Sequence, residues 1–275
     1  IKGERFVGGI TGYSYNNAII DNCTVENLAL TGEIGVGGIA GLALNGNKIA
    51  RCTVKDVTVN GEKNVAYIVG ELGSGDGGNV TVADNCNAPQ PWVGGSYGTG
   101  ESFVATIGTK YYTSVAKAIE AAKENEVITL IADIAATDII TINKAITLDG
   151  NGKKLTSTAG RAINVDCEGN VGIKDLTINA SGERAINVIQ KPANVTIENV
   201  TATASNYTVN VAASAGAAKV AITGSNLTGL NVVNVTAQGA EVTINGGTIT
   251  CNDQTDAENY AALNLTKEAK NGKIV

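Results

Sequence analysis

Arg161-Ala162-Ile163-Asn164-Val165 returns as Arg184-Ala185-Ile186-Asn187-Val188. Its last four positions return again as Thr208-Val209-Asn210-Val211, Val232-Val233-Asn234-Val235 and Ala262-Leu263-Asn264-Leu265. The intervals are 23, 23, 24 and 30 residues, with the polar stretch 252–259 absorbing the excess of the last. A second series keeps step: Ile146-Thr147-Leu148, Val171-Gly172-Ile173, Val195-Thr196-Ile197, Val220-Ala221-Ile222 and Val242-Thr243-Ile244. The apolar–polar–apolar alternation of each triplet is that of a half-buried strand. A recurring period of this size marks units that bury their apolar face only against their neighbours. The spacing therefore predicts an all-β fold, a right-handed parallel β-helix (solenoid) over 103–275. Each coil would rise by the inter-strand distance, roughly 4.8 Å. The asparagines at 164, 187, 210, 234 and 264 would then stand in one column at a turn. Stacked amides of this kind satisfy each other's polar groups and are structural, not catalytic.

Upstream, Ser114 precedes Val115, Ala118, Ile119 and Ala122, one apolar stripe at helical spacing, with Lys117, Glu120 and Lys123 opposite. This predicts one N-terminal capping α-helix of about three turns, covering the unpaired strand edges at the open end of the solenoid. Residues 88–102 hold two of the three prolines and no periodicity, and read as a linker. Residues 1–87 carry a different repeat. Val7-Gly8-Gly9-Ile10-Thr11-Gly12 returns as Val36-Gly37-Gly38-Ile39-Ala40-Gly41 and, eroded, as Val65-Ala66-Tyr67-Ile68-Val69-Gly70, both at 29 residues. Cys23-Thr24-Val25 and Cys52-Thr53-Val54 follow in step, and Val93–Gly98 reads as a last decayed copy.

The chain of 275 residues carries 34 glycines and a net charge of −6. Acidity argues against nucleic acid or an anionic membrane surface as partner. No apolar run approaches the 18 or so residues of a membrane span, so no membrane insertion is expected in this portion. The chain lacks Met and opens partway through a repeat, which predicts that it is a portion of a longer polypeptide. Five cysteines lack the paired spacing of a zinc site and read as small buried hydrophobes, three of them stacked in an inward column.

The phrases VGGITG and VGGIAG, each followed by a polar stretch and Ile-x-x-Cys-Thr-Val, resemble the GLUG-motif repeats of bacterial secreted and surface proteins. The run from Val104-Ala105-Thr106-Ile107-Gly108 through Ser114–Ile119 to Val127-Ile128-Thr129-Leu130 is similar to the capped entry of a pectate-lyase-like β-helix. The resemblance implies an extracellular or cell-surface address, and a role as stalk, adhesin or glycan-facing surface. It implies no reaction, because this fold carries lyases, hydrolases and inert fibres alike.

No constellation of catalytic residues stands out. The carboxylates Asp149, Asp166, Glu168, Asp175, Glu183, Glu198 and Glu241, folded onto a period near 24, scatter across faces, and His is absent. The expectation is a non-enzymatic module without cofactor, binding a glycan or host component, with end-to-end self-association through open ends as a further partner mode. The alternative is a polysaccharide lyase or glycoside hydrolase acting on an acidic glycan. Ligand-binding candidates are Arg161 and Arg184 on adjacent coils with Glu183 beside them, which suit an anion. Trp92, Tyr111 and Tyr112 suit a sugar face, one of the adjacent tyrosines being expected to be exposed. Asp253, Asp256 and Glu258 are weak candidates for calcium.

Overall fold

The computed structural model describes residues 1–74, 80–83, 85–98, 101–253, 255 and 260–275. The architecture is all-β, built from parallel sheets and consistent with a solenoid. The chain divides into two compact units, Ile1–Ser114 and Val115–Val275.

In the first unit, successive passes of the chain lay equivalent strands side by side. Arg5–Gly8, Ile34–Gly37 and Lys63–Ala66 form one parallel sheet, with Val7 opposite Val36 and Val36 opposite Val65. Thr11–Ser14, Ala40–Ala43, Val69–Ser74 and Val93–Tyr97 form a second. The hexapeptide is the crossing between these two sheets, and its glycines are where backbones touch. A Cβ on Gly37 would lie 2.0 Å from the Ala40 carbonyl oxygen, and one on Gly41 would lie 2.2 Å from the Phe6 carbonyl carbon. Neither obstacle is a side chain that could swing away, so the motif demands glycine there.

Residues 88–102, expected as a linker, contribute the strand Val93–Tyr97. Its register corrects the expected last copy of the hexapeptide. Val93 lies opposite Val69, the fifth position of the motif and not the first. Trp92 accordingly takes the place of Ile68: its carbonyl receives the backbone N–H groups of Ile68 and Val69, as the Ile68 carbonyl receives those of Ile39 and Ala40. The core of this unit is Leu30, Val36, Ile39, Leu42, Ile49, Ile68 and Leu72, all essentially without exposure.

In the second unit the helix Val115–Ala121 has seven residues, closer to two turns than three. It buries Val115, Ala118 and Ile119. Lys144 Nζ donates to the carbonyls of Glu120 at 2.6 Å and Ala122 at 2.9 Å, satisfying acceptors that the helix end leaves open. Three rows of parallel strands follow. The first holds Val127–Leu130, Thr147–Asp149, Gly169–Lys174, Ala193–Glu198, Lys219–Gly229 and Glu241–Cys251. The second holds Ile134–Ala136, Lys154–Ser157, Thr177–Ala180 and Thr201–Thr203, and joins the far half of Lys219–Gly229. The third holds Ile140–Ile142, Arg161–Val165, Arg184–Val188, Tyr207–Val211, Val233–Val235 and Leu263–Leu265.

Between the first two rows the chain turns at a left-handed residue in four successive passes: Asp175 (φ 51°), Asn199 (φ 52°), Gly224 (φ 56°) and Gly246 (φ 76°). Asn and Asp tolerate this region through local hydrogen bonding and Gly through its missing Cβ. Inside, aliphatic side chains continue from pass to pass: Leu148, Ile173, Ile197 and Ile222 along one row, and Ile163, Ile186, Val209 and Val233 along another.

The asparagine column is present, within strands and not at a turn. Asn187 Nδ2 donates to Asn164 Oδ1 at 2.9 Å, Asn210 to Asn187 at 2.7 Å, Asn234 to Asn210 at 2.6 Å and Asn264 to Asn234 at 2.7 Å. Each amide donates toward the preceding pass, and Asn164, Asn187, Asn210 and Asn234 are buried. A buried amide without such a partner would cost about 1–3 kcal/mol, so the column pins the register of the third row.

Candidate functional site

The first row of the second unit turns alternate side chains outward. Across five strands the central outward positions are Thr147, Gly172, Thr196, Ala221 and Thr243, directly opposite one another. Two depressions follow this line. One of about 360 Å³ includes Thr147, Gly172 and Thr196 in its lining. The other, of about 340 Å³, includes Thr196, Ala221 and Thr243. Gly172 and Ala221 lower the floor, and the threonines between them supply hydroxyls.

Charged and amide columns flank this floor. On one side Asn170, Asn194, Lys219 and Glu241 align, with Asn194 Nδ2 donating to Asn170 Oδ1 at 3.2 Å and Lys273 reaching Glu241 at 2.9 Å. On the other, Asp149, Lys174 and Glu198 align. Lys174 Nζ sits 2.8 Å from Asp149 Oδ2 and 3.4 Å from Asp175 Oδ2. The hydrogen bond to Asp149 is the main cause that raises the Lys174 pKa above its ordinary value. A further depression of about 460 Å³ lies beside this cluster, lined by Asp149, Asn151, Asp175, Thr177 and Asn199.

Asp149 and Asp175 thus converge on one lysine, and Glu198 lies opposite that lysine on the next strand. The expected scatter therefore fails for Asp149 and Asp175, while Glu183 and Glu241 pair elsewhere, with Arg184 and Lys273. On a period of 24 Asp149, Asp175 and Glu198 fall within two positions of one another, so the spacing already held this grouping. Among the described residues no group of three or more His, Cys, Asp or Glu could hold a metal ion.

The sequence candidates fall elsewhere. Arg161 and Arg184 are directly opposite on adjacent strands, and Tyr207 continues their line. The Arg184 guanidinium lies 5.4 Å from the Tyr207 ring centroid and 3.4 Å from Glu183, so it is held by an aromatic face and a carboxylate. The Nε atoms of both arginines are buried without a hydrogen-bond partner.

Tyr111 and Tyr112 are both buried, which corrects the expectation that one is exposed. They lie on Lys110–Tyr112, the second strand of an antiparallel hairpin, and Tyr111 packs 5.6 Å from the Phe103 ring. Burial pushes the Tyr111 phenol up to about 12. Trp92 is half-buried and donates Nε1–H to the Ala88 carbonyl at 3.0 Å. Asp253 Oδ1 accepts from the Thr255 backbone and hydroxyl at 2.9 and 2.7 Å, an Asx-type turn. Asp256 and Glu258 lie outside the described residues.

Exposed aromatics occur instead on the first pass of the first unit. Tyr13 and Tyr15 stack at 6.1 Å with rings 22° apart, and Phe6 contacts both Tyr13 and Tyr97. Tyr13 and Tyr15 are 52% and 46% exposed, whereas Leu42, directly opposite Tyr13 on the next pass, is fully buried. The i, i+2 spacing that turns both tyrosines to one face was present in the sequence.

A family model described as the GLUG motif matches residues 7–31, the first hexapeptide and the strands Thr11–Ser14, Ile19–Asp21 and Thr24–Thr31. No curated protein and no solved structure matches the chain. The match covers one pass of the first unit, and the second hexapeptide lies opposite it in register.

Proposed function

We propose that this chain is a non-enzymatic scaffold, secreted or displayed at the cell surface. In this reading 29-residue GLUG-type repeats precede a right-handed parallel β-helix, and the outer groove of the β-helix binds an extended glycan. The observation that carries the proposal is the line Thr147–Gly172–Thr196–Ala221–Thr243, a shallow trough of hydroxyls and small side chains crossing five strands. One sugar residue is about as long as the step between strands, so such a floor can repeat its contacts along a polymer. The amide and charged columns on either side supply donors and acceptors for sugar hydroxyls.

The test is calorimetric titration of the full chain with neutral and acidic oligosaccharides. The double variant Gly172→Val/Ala221→Val, which fills the trough with strand-compatible side chains, should weaken binding at least about tenfold. Equal binding by the variant would contradict the proposal, as would the absence of binding to either class of sugar.

The second reading, a lyase or hydrolase on an acidic glycan, is favoured by the convergence of Asp149, Asp175 and Lys174 beside a depression. Two carboxylates already neutralise that lysine, and its raised pKa keeps it protonated at neutral pH. That state suits structural pairing better than proton abstraction. Release of unsaturated or shortened products from acidic glycans, lost in Lys174→Met, would decide for the enzyme.

A further inference from the structure

Three of the five cysteines share one column. Cys23, Cys52 and Cys86 each precede a residue of one cross-strand line, Thr24 opposite Thr53 and Thr53 bridged to Asn87. The backbone repeats the relationship, Thr53 N–H donating to the Cys23 carbonyl and Asn87 N–H to the Cys52 carbonyl, both at 2.8 Å. The Cys23 and Cys52 side chains point alike. Cys23 Sγ lies 3.5 Å from the carbonyl oxygen two residues earlier, at Asp21, and Cys52 Sγ lies 3.2 Å from that of Ala50. Cys52 Sγ also reaches back to the Ile20 carbonyl of the preceding pass at 3.7 Å. In this register Cys23 and Cys52, and Cys52 and Cys86, are neighbours on adjacent passes. Cys52 and Cys86 are buried, while Cys23 is half-exposed.

We propose that this column is a thiol–disulfide site in which Cys52 bonds to either Cys23 or Cys86. Strands one step apart place Cα atoms roughly 4.8 Å from each other, inside the Cα range of about 4.4–6.8 Å that a disulfide spans. Two steps place Cys23 and Cys86 roughly 9–10 Å apart, outside it. Every bond in the column therefore includes Cys52, and only one forms at a time. Cys167 and Cys251 lie in the other unit and have no part in the column.

The oxidant is a small-molecule disulfide, RSSR. The Cys23 thiolate attacks one of its sulfurs, forming a mixed disulfide and releasing RS⁻. The Cys52 sulfur, deprotonated as it attacks, then displaces the second RS⁻ from Cys23. Two electrons pass to RSSR, and the two thiol protons end on two RSH. Reversal by excess RSH restores the column. Burial, which raises the Cys52 and Cys86 thiols, makes Cys23 the point of entry.

The test treats the native full chain with oxidised glutathione, alkylates the remaining thiols and maps tryptic peptides. Cleavage after Lys48, Arg51, Lys55 and Lys63 puts the three cysteines on separate peptides. The expected result is a mass loss of about 2 Da from one internal bond, found as Cys23–Cys52 or Cys52–Cys86. Cys86→Ser should leave Cys23–Cys52 alone, and Cys52→Ser should abolish the bond while its far-UV spectrum stays that of the parent. Three results would overturn the proposal: no internal bond in the native chain, a Cys23–Cys86 bond in Cys52→Ser, or a bond through Cys167 or Cys251.

Discussion

The side-chain amide of Asn210 donates to Oδ1 of Asn187 at 2.7 Å across 23 residues of chain, and Asn187 in turn donates to Asn164 at 2.9 Å. Both ends of each bond are buried, so removing one member orphans its neighbours on either side. Asn187→Ala should lower the stability of the second unit by about 1–3 kcal/mol. Urea unfolding followed by circular dichroism measures this, and a change below about 0.5 kcal/mol would mean that the column does not hold the register.

The glycine column of the first unit offers a sharper contrast. A Cβ on Gly41 meets the Phe6 backbone at 2.2 Å, whereas one on Gly172 meets only the Thr147 side chain, at 2.8 Å. Gly41→Ala should cost about 3 kcal/mol through displaced backbone, and Gly172→Ala should stay within about 0.5 kcal/mol. Thermal unfolding of the two variants side by side measures the difference.

At high pH the protein should unfold in a way that Tyr111 helps to set. Its phenol is pushed from 10.0 to about 12 by burial, so the unfolded chain gives up that proton first. The contribution is fully present below pH 10 and is lost as pH rises through 12, on the order of 2–3 kcal/mol. The buried thiols of Cys52, Cys86 and Cys167, raised above 9.0, act in the same direction from pH 9 upward. Tyr111→Phe should flatten the alkaline limb between pH 10 and 12 in a denaturant–pH series, leaving the limb below pH 10 unchanged.

Lys144 ties its ammonium to the carbonyls of Glu120 and Ala122 at the end of the helix. Lys144→Met keeps the apolar stem and removes these bonds. Amide hydrogen exchange in Val115–Ala121 should quicken several-fold, while exchange in Arg184–Val188 stays unchanged.

The parallel stacking was readable from the sequence because one residue type, Asn, marks five successive passes at intervals of 23, 23, 24 and 30. The members of the trough, Thr147, Gly172, Thr196, Ala221 and Thr243, were legible as the middle positions of the second series, at intervals of 25, 24, 25 and 22, but residues so unlike one another did not announce a shared groove. The meeting of Asp149 with Lys174 was within reach of the same series, since each directly follows its triplet. Tyr111 and Tyr112 misled because alternation in a strand places only one side chain inward, yet in this hairpin both faces are covered. The last copy, read as starting at Val93, was out of register by four positions, because Val93-Gly94 answers Val69-Gly70 at the end of the motif and not Val65-Ala66 at its start. The column of Cys23, Cys52 and Cys86 was legible as a stack of small hydrophobes, but the register that makes each thiol the neighbour of the next required coordinates.

The stacking of successive passes in register is tested most directly by side-chain amide exchange and proximity in the ¹⁵N-labelled protein. The account predicts that the Nδ2 protons of Asn187, Asn210 and Asn234 exchange slowly and show nuclear Overhauser contacts each to the next, while the exposed Asn271 exchanges freely. Exchange of those three amides at solvent rates, with no contacts among them, would contradict it.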